Sequence, residues 1–271
     1  MRALLASPLG FLIGVSLGAL GGGGSILAVP VLVYAAGQDA QGATATSLLL
    51  VGAAALVGMA AHHRAGRVRV GTGIAFGFAG VGGSVVGTLI NRRLDPNALL
   101  LGFSVLVLVA AWRMVVGCPT CTKVGEDRVL DTGATPGGVR VRNRVAVRTV
   151  VEVLVAGTAV GFLTGLFGVG GGFVIVPALT LVLRLSMPEA IGTSLLVIGI
   201  NSAVALAGRI GTSTIDWGVA IPFTISAILG VLFGKRIADR LDAQRSLNWF
   251  AVLLVGVAVY TAIQAGSELL G

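Results

Sequence analysis

Charge is what this 271-residue chain has least of: Asp, Glu, Lys and Arg together make up 11% of it, against about a quarter in an average soluble protein. That shortage excludes an ordinary soluble domain. Aromatic residues reach only 6%, and 19 basic residues face 11 acidic ones, for a net charge of +8. In a soluble chain such a balance would suggest nucleic acid, but no basic face with interleaved aromatics occurs. The cations cluster between apolar runs, which is the pattern of membrane topology. Two cysteines, Cys118 and Cys121, are too few and too close to frame a disulfide scaffold. Their CPTC spacing is that of thiol redox pairs and zinc sites. A zinc site needs two further ligands, and the surrounding segment has neither a third Cys nor a His, so no metal and no cofactor is expected. The pair stays a redox candidate beside the plainer reading of two incidental loop residues.

What the chain does have is apolar length and glycine: 55% of residues are hydrophobic and 42 are Gly. No Gly-X-Y period is present, and the apolar content is too high for disorder. The combination points to an all-α polytopic membrane protein with closely packed helices. The sequence also repeats itself. Gly14, Gly18, Gly21, Gly23, Gly24, Val29 and Pro30 reappear as Gly161, Gly165, Gly168, Gly170, Gly171, Val176 and Pro177, a constant offset of 147 residues. The same register pairs Thr46-Ser47 with Thr193-Ser194, Gly83 and Gly87 with Gly230 and Gly234, and Arg93-Leu94-Asp95 with Arg240-Leu241-Asp242. Residues 1–116 therefore read as a first transmembrane repeat and 148–271 as a second, joined by a polar, basic linker over 117–147 that carries both cysteines and is expected in the cytoplasm.

Each copy contains three apolar runs near the ~20 residues that cross a bilayer: Gly42–Ala61, Val70–Ile90 and Ala98–Val116, then Glu189–Gly208, Trp217–Gly234 and Leu247–Ile263. The opening of each copy is interrupted. Ala3–Leu20 runs into Gly21-Gly22-Gly23-Gly24, with a short apolar stretch to Ala36, and the second copy breaks likewise at Gly168–Gly172. The short stretch either crosses or dips in and returns. If it returns, each copy has four spans in parallel orientation, and the better arrangement puts twelve basic residues inside and seven outside. If it crosses, each copy has five segments, the copies are inverted, and only Arg2, Arg92, Arg93 and Arg209 lie outside. The positive-inside rule favours the inverted five-plus-five arrangement.

Non-helical backbone survives at membrane depth only when buried in protein or lining a wet cavity. The breaks are thus the candidate anion site: Gly21, Gly22, Gly23, Gly24 and Ser25 in the first copy, Gly168, Gly170, Gly171 and Gly172 in the second. The helices expected to start at Ser25 and Phe173 would turn free amides and a partial positive charge toward a small oxyanion, and Pro30 and Pro177 would keep them short. Thr46, Ser47, Thr193, Ser194 and Asn201 are candidate polar lining, with helix capping, back-bonded hydroxyls and an interhelical hydrogen bond as the structural alternatives. The small-xxx-small pairs Gly14/Gly18, Gly161/Gly165, Gly83/Gly87 and Gly230/Gly234 are assigned to packing. Glu152 reads as a surface carboxylate, and His62 and His63, beside Arg64, Arg67 and Arg69, read as part of a solvated basic loop.

An enzyme is not expected. Gly14-Val15-Ser16-Leu17-Gly18 matches the GxSxG nucleophile pattern, but no strand precedes it and Leu163 stands where the repeat would need a second Ser. Gly80-Val81-Gly82-Gly83-Ser84 lies in an apolar span without a βαβ unit. The pattern GALGGGGSILAVPVL followed by ATSLL, repeated as GLFGVGGGFVIVPAL followed by GTSLL, resembles the TauE/SafE family of membrane permeases, the sulfite exporters. The resemblance covers nearly the whole chain apart from the linker. It implies a secondary transporter in the cell membrane for sulfite, sulfonates or related small anions, working by alternating access, with a proton or sodium as coupling ion and no assigned oligomeric state. A passive anion channel and a membrane redox protein using the CPTC pair are the alternatives.

Overall fold

The computed structural model describes residues 2–34, 36–38, 40–91, 147–167, 172–207 and 215–240, with scattered helical positions within 102–112 and 248–259. The regular elements among them are helices: α1 (Arg2–Leu20), a single 3-10 turn (Gly22–Gly24), α2 (Ser25–Tyr34), α3 (Ala40–Arg64), α4 (Val70–Asn91), α5 (Val147–Phe167), α6 (Gly172–Leu181), α7 (Met187–Ala207) and α8 (Trp217–Ala238). Cys118, Cys121, Gly168, Gly170 and Gly171 lie outside the described residues.

Helices are the result expected where hydrocarbon offers the backbone no partner and each segment must satisfy its own amides. The spans Gly42–Arg64, Val70–Gly87, Met187–Ala207 and Trp217–Ala238 are long and apolar enough to cross a bilayer, with shorter apolar stretches at Pro8–Leu20 and Val150–Leu166. Their ends are marked by polarity. Asp216 caps α8 by accepting a hydrogen bond from the Gly218 amide at 2.9 Å, and Lys235 and Arg236 occupy its last turn. His62, His63 and Arg64 close α3, so both helices place cations at the negative end of the helix dipole.

The most extensive contacts are α4 with α5 and α1 with α8, while α3 and α7 pair at the centre. Glycine makes the two outer seams. A Cβ on Gly14 would overlap the backbone of Ala227, and one on Gly18 that of Val231; in the other seam Gly161 meets Gly80 and Gly165 meets Ser84. From the facing side Gly83 and Gly87 sit on Thr158 and Phe162, and Gly230 and Gly234 on Phe11 and Val15. The 147-residue offset turns each of these contacts into its counterpart in the other seam.

The same contacts give helix directions. Gly10, Gly14 and Gly18 meet Phe223, Ala227 and Val231 in rising order, so α1 and α8 run parallel; Gly157, Gly161 and Gly165 meet Phe76, Gly80 and Ser84, so α4 and α5 do too. Gly52 faces Ser202 while Gly58 faces Leu195, making α3 and α7 antiparallel, whereas Gly73 and Gly77 against Leu196 and Ile200 make α4 and α7 parallel. Gly58 against Val231 and His62 beside Lys235 align α3 with α8. With α1 and α3 both parallel to α8, α2 returns the chain to the side where α1 began. By the same logic α6 returns it between α5 and α7. These directions fit a short segment that crosses rather than one that dips in and returns, and they set α1 and α5 in opposite directions; the expected spans Ala98–Val116 and Leu247–Ile263 lie largely outside the described residues.

Large apolar side chains cover the periphery. Trp217, Ile221, Ile225, Leu229 and Phe233 form an exposed stripe along α8, and Val151, Leu154 and Val155 an exposed face of α5. Such faces suit lipid, where apolar exposure costs nothing.

The seam makes a sharp distinction between neighbours on α4. A Cβ at Gly83 would overlap the Thr158 carbonyl, whereas at Gly82 nothing lies within 4 Å. Gly83→Ala is expected to lower stability by about 1–3 kcal/mol through overpacking. Gly82→Ala should leave it unchanged or raise it by up to ~1 kcal/mol from helix propensity. Thermal unfolding in detergent measures both, and equal losses would contradict the seam.

Candidate functional site

The first break begins at Gly21. Its amide still donates to the Leu17 carbonyl at 2.9 Å, but its φ of 74° and ψ of −126° belong to backbone that side chains with a Cβ do not tolerate. A Cβ here would also lie 2.6 Å from Ser194 Oγ. The chain then reverses: Gly24 packs on the backbone of Ile13 and Leu17 in α1, and Gly21 to Gly24 are all buried. Ser25 Oγ donates to the Gly22 carbonyl at 2.7 Å, tying the first turn of α2 to the 3-10 turn.

The second short helix starts against the first. A Cβ on Gly22 would overlap the Gly172 backbone, and one on Gly172 would press on Ser25 Oγ and Gly22. Gly172, one residue ahead of the expected Phe173, is the first residue of α6 and the 147-residue counterpart of Ser25, the first residue of α2. Two helix N-termini, each with a partial positive charge, thus meet beside Ile191 and Ser194 of α7, with the Ser25 amide itself donating to the Gly22 carbonyl.

The structure brings Gly21 to Ser194, and Gly22 and Ser25 to Gly172. The candidate hydroxyls divide into two kinds. Ser47 and Ser194 are back-bonded, donating to the carbonyls of Thr44 and Ile191 at 2.8 Å each. Thr193 Oγ1 accepts from the Arg69 amide at 3.1 Å, so it faces the connection after α3. Thr46 is fully buried and its hydroxyl has no partner among the described residues. Asn201, half-buried, also has a buried Oδ1 without a partner; it lies roughly 10 Å along α7 from Ser194 by helix rise. Glu152, in α5, is half-buried.

The expectation that His62 and His63 belong to a solvated loop is corrected for His62, while His63 is exposed. α3 runs through both, and His62 is 1% exposed, with Nε2 3.4 Å from the Gly18 carbonyl. The reason is helical phase: Val51, Ala55, Gly58 and His62 lie on one buried stripe, and following the apolar pattern one turn further would have found it. Around it lies a charged cluster that composition alone did not reveal. Arg67 pairs with Asp239, and Lys235 with the same carboxylate at 2.8 Å. Arg69 binds Glu189 at 2.8 Å, and Glu189 also accepts from Ser186 Oγ at 3.1 Å. Partial burial pushes the Asp239 carboxyl up, but hydrogen bonds from Lys235 and Arg67 and their charges outweigh it and hold it below the usual carboxylate range.

An apolar groove of about 680 Å³ lies elsewhere, between α4 and α5, lined by Gly82, Val86, Leu154, Val155, Thr158 and Phe162 among others. In the other seam the counterparts of Thr158 and Val86 are Phe11 and Phe233, whose rings stand 5.9 Å apart and fill that space. The groove has almost no polar lining and does not suit an anion.

Among the described residues, no group of three or more His, Cys, Asp or Glu is placed to hold a metal ion. Residues 6–261 match the family model described as sulfite exporter TauE/SafE. A probable membrane transporter protein of Xylella fastidiosa (strain 9a5c) is 32% identical over 263 residues, covering 96% of this chain and 95% of its own. The probable membrane transporter protein YunE of Bacillus subtilis (strain 168) is 25% identical over 261 residues, covering 93% and 92%. A third, MJ0441 of Methanocaldococcus jannaschii, is 31% identical over 116 residues, 41% of this chain and 43% of its own. No solved structure matches the chain significantly. An all-helical, multi-pass architecture and a family match over nearly its whole length lead to one conclusion: the chain belongs to the TauE/SafE sulfite exporter family of membrane transporters and is not an enzyme.

Proposed function

We propose that the protein is a secondary transporter for small sulfur-containing anions such as sulfite or sulfonates, built from two inverted repeats and working by alternating access. The observation that carries this reading is the meeting of α2 and α6 at Gly22, Ser25 and Gly172. An anion leaving water needs replacement donors in a low-dielectric interior, and two opposed helix N-termini supply amides and positive potential without a buried cation. The site comprises Gly21 to Ser25 and Gly168 to Gly172, with Thr46, Ser47, Thr193, Ser194 and Asn201 as polar lining. Thr46 and Asn201 support it best, since an unpartnered polar atom in a buried position costs about 1–3 kcal/mol and a bound anion or its water would relieve that cost. The charge distribution supports the orientation, with the Arg67, Arg69 and Lys235 end in the cytoplasm.

The test is flux in proteoliposomes. Counterflow of sulfite or a short sulfonate, saturating with concentration, is expected; a non-saturating, uncoupled current would establish the channel instead. Thr46→Val keeps the shape of the side chain and removes an unpartnered hydroxyl. It should leave thermal stability equal or slightly higher while raising the KM for counterflow about tenfold, the loss of one hydrogen bond to a charged ligand. Unchanged KM would remove Thr46 from the site. Cys118→Ser combined with Cys121→Ser should retain counterflow, and its abolition would favour the redox reading.

A further inference from the structure

The buried histidine at the charged end has a geometry that a packing role does not use up. Gly18, whose carbonyl faces His62 Nε2 at 3.4 Å, lies three residues before Gly21, where α1 breaks. A carbonyl can only accept, so Nε2 carries hydrogen and the neutral ring holds its lone pair at Nδ1. That Nδ1 is buried and has no hydrogen-bond partner among the described residues.

The charges acting on the ring are Lys235, Arg67 and Asp239. α1 presents no charged side chain over residues 8–20. Glu189, at the start of α7, is engaged by Arg69; Arg236 follows Lys235 on α8, and His63 and Arg64 follow His62 on α3, both exposed. Asp239 is ionised across the neutral range, held there by its two cations. The group in this cluster whose ordinary value falls between pH 5 and 8 and whose ring is buried is therefore His62. Protonation at Nδ1 adds a positive charge to a cluster with two cations and one carboxylate. Negative charge arriving at the adjacent break offsets it. At the matching position the second copy has Arg209, a residue that does not titrate in this range.

We propose that His62 is the proton-binding residue of the transporter, taking a proton from water on Nδ1 while Nε2 keeps its hydrogen toward Gly18, so that proton and anion bind together. This rests on the anion reading of the breaks. By linkage, an anion that favours the imidazolium raises the proton affinity of the ring, and the proton raises anion affinity by the same factor.

The chain holds only two histidines, so the ring can be followed directly. Protein labelled with 15N-histidine is placed in lipid nanodiscs with His63→Asn as background, and methanesulfonate serves as probe because its charge does not change between pH 5 and 8. Calorimetry reads methanesulfonate binding and NMR reads the His62 titration with and without it. If methanesulfonate binds and moves the titration to higher pH, and its affinity weakens by up to tenfold per pH unit above the free-state midpoint, the proposal stands. His62→Gln, whose amide NH₂ can still donate to Gly18, should then bind methanesulfonate with a flat pH profile. Binding that leaves the His62 titration unmoved, or a pH dependence that survives His62→Gln, overturns the proton role and leaves the anion site intact. Failure of methanesulfonate, sulfite and thiosulfate alike to bind overturns the anion reading and this inference with it.

Discussion

Close backbone approach between helices is the interaction on which this structure depends. In hydrocarbon, apolar side chains gain nothing from leaving one apolar surface for another, so helix association relies on van der Waals contact and on small residues that let backbones touch. Glycines at four-residue spacing provide that contact in both outer seams, where a Cβ at Gly14, Gly18, Gly161 or Gly165 would overlap the facing chain. The seams hold α1 to α8 and α5 to α4, across the boundary between the two copies. Each half is thereby completed by the other, and the central α3 and α7 are enclosed by helices whose outer faces are apolar.

That enclosure is what lets irregular backbone exist inside the bundle. Gly21 leaves α1 in a conformation that only glycine takes readily, and the turn that follows is buried on α1, α6 and α7 rather than exposed to lipid. The resulting short helices begin together, with their amide ends in the interior. On the proposed reading, an anion carrier needs attraction without a fixed buried cation that would trap its cargo, and helix N-termini meet that need. The cations are instead kept at one end, where Arg67, Arg69 and Lys235 are tied to Asp239 and Glu189. His62 connects the two regions, touching the break through Gly18 and the charged end through its neighbours.

Much of this was legible along the chain. Four of the six expected spans appeared where apolar runs of sufficient length lie, the packing glycines where small residues recur at one helical turn, and the first break where four glycines interrupt an apolar run. Ser47 and Ser194 were ambiguous between lining and back-bonding, because a hydroxyl near a helix start serves both; their hydroxyls donate to the Thr44 and Ile191 carbonyls, which leaves their oxygens free to accept. His62 was misplaced because a histidine beside three arginines looks like surface chemistry. The solvated connection in fact starts after Arg64, and the last turn of α3 is pressed against α1 and α8.

The sequence by itself determined that the chain is helical and membrane-embedded, that its glycine pattern occurs twice, and where the helices break. These follow from local rules of hydropathy, spacing and backbone freedom, which act on each segment separately. Which helix lies against which, the return of the chain through α2, the contact of Ser25 with Gly172 and the burial of His62 were decided only by the tertiary structure. They join residues more than forty positions apart or depend on which face of a helix finds a partner, and that is a property of the assembled bundle, where every backbone contact constrains the others.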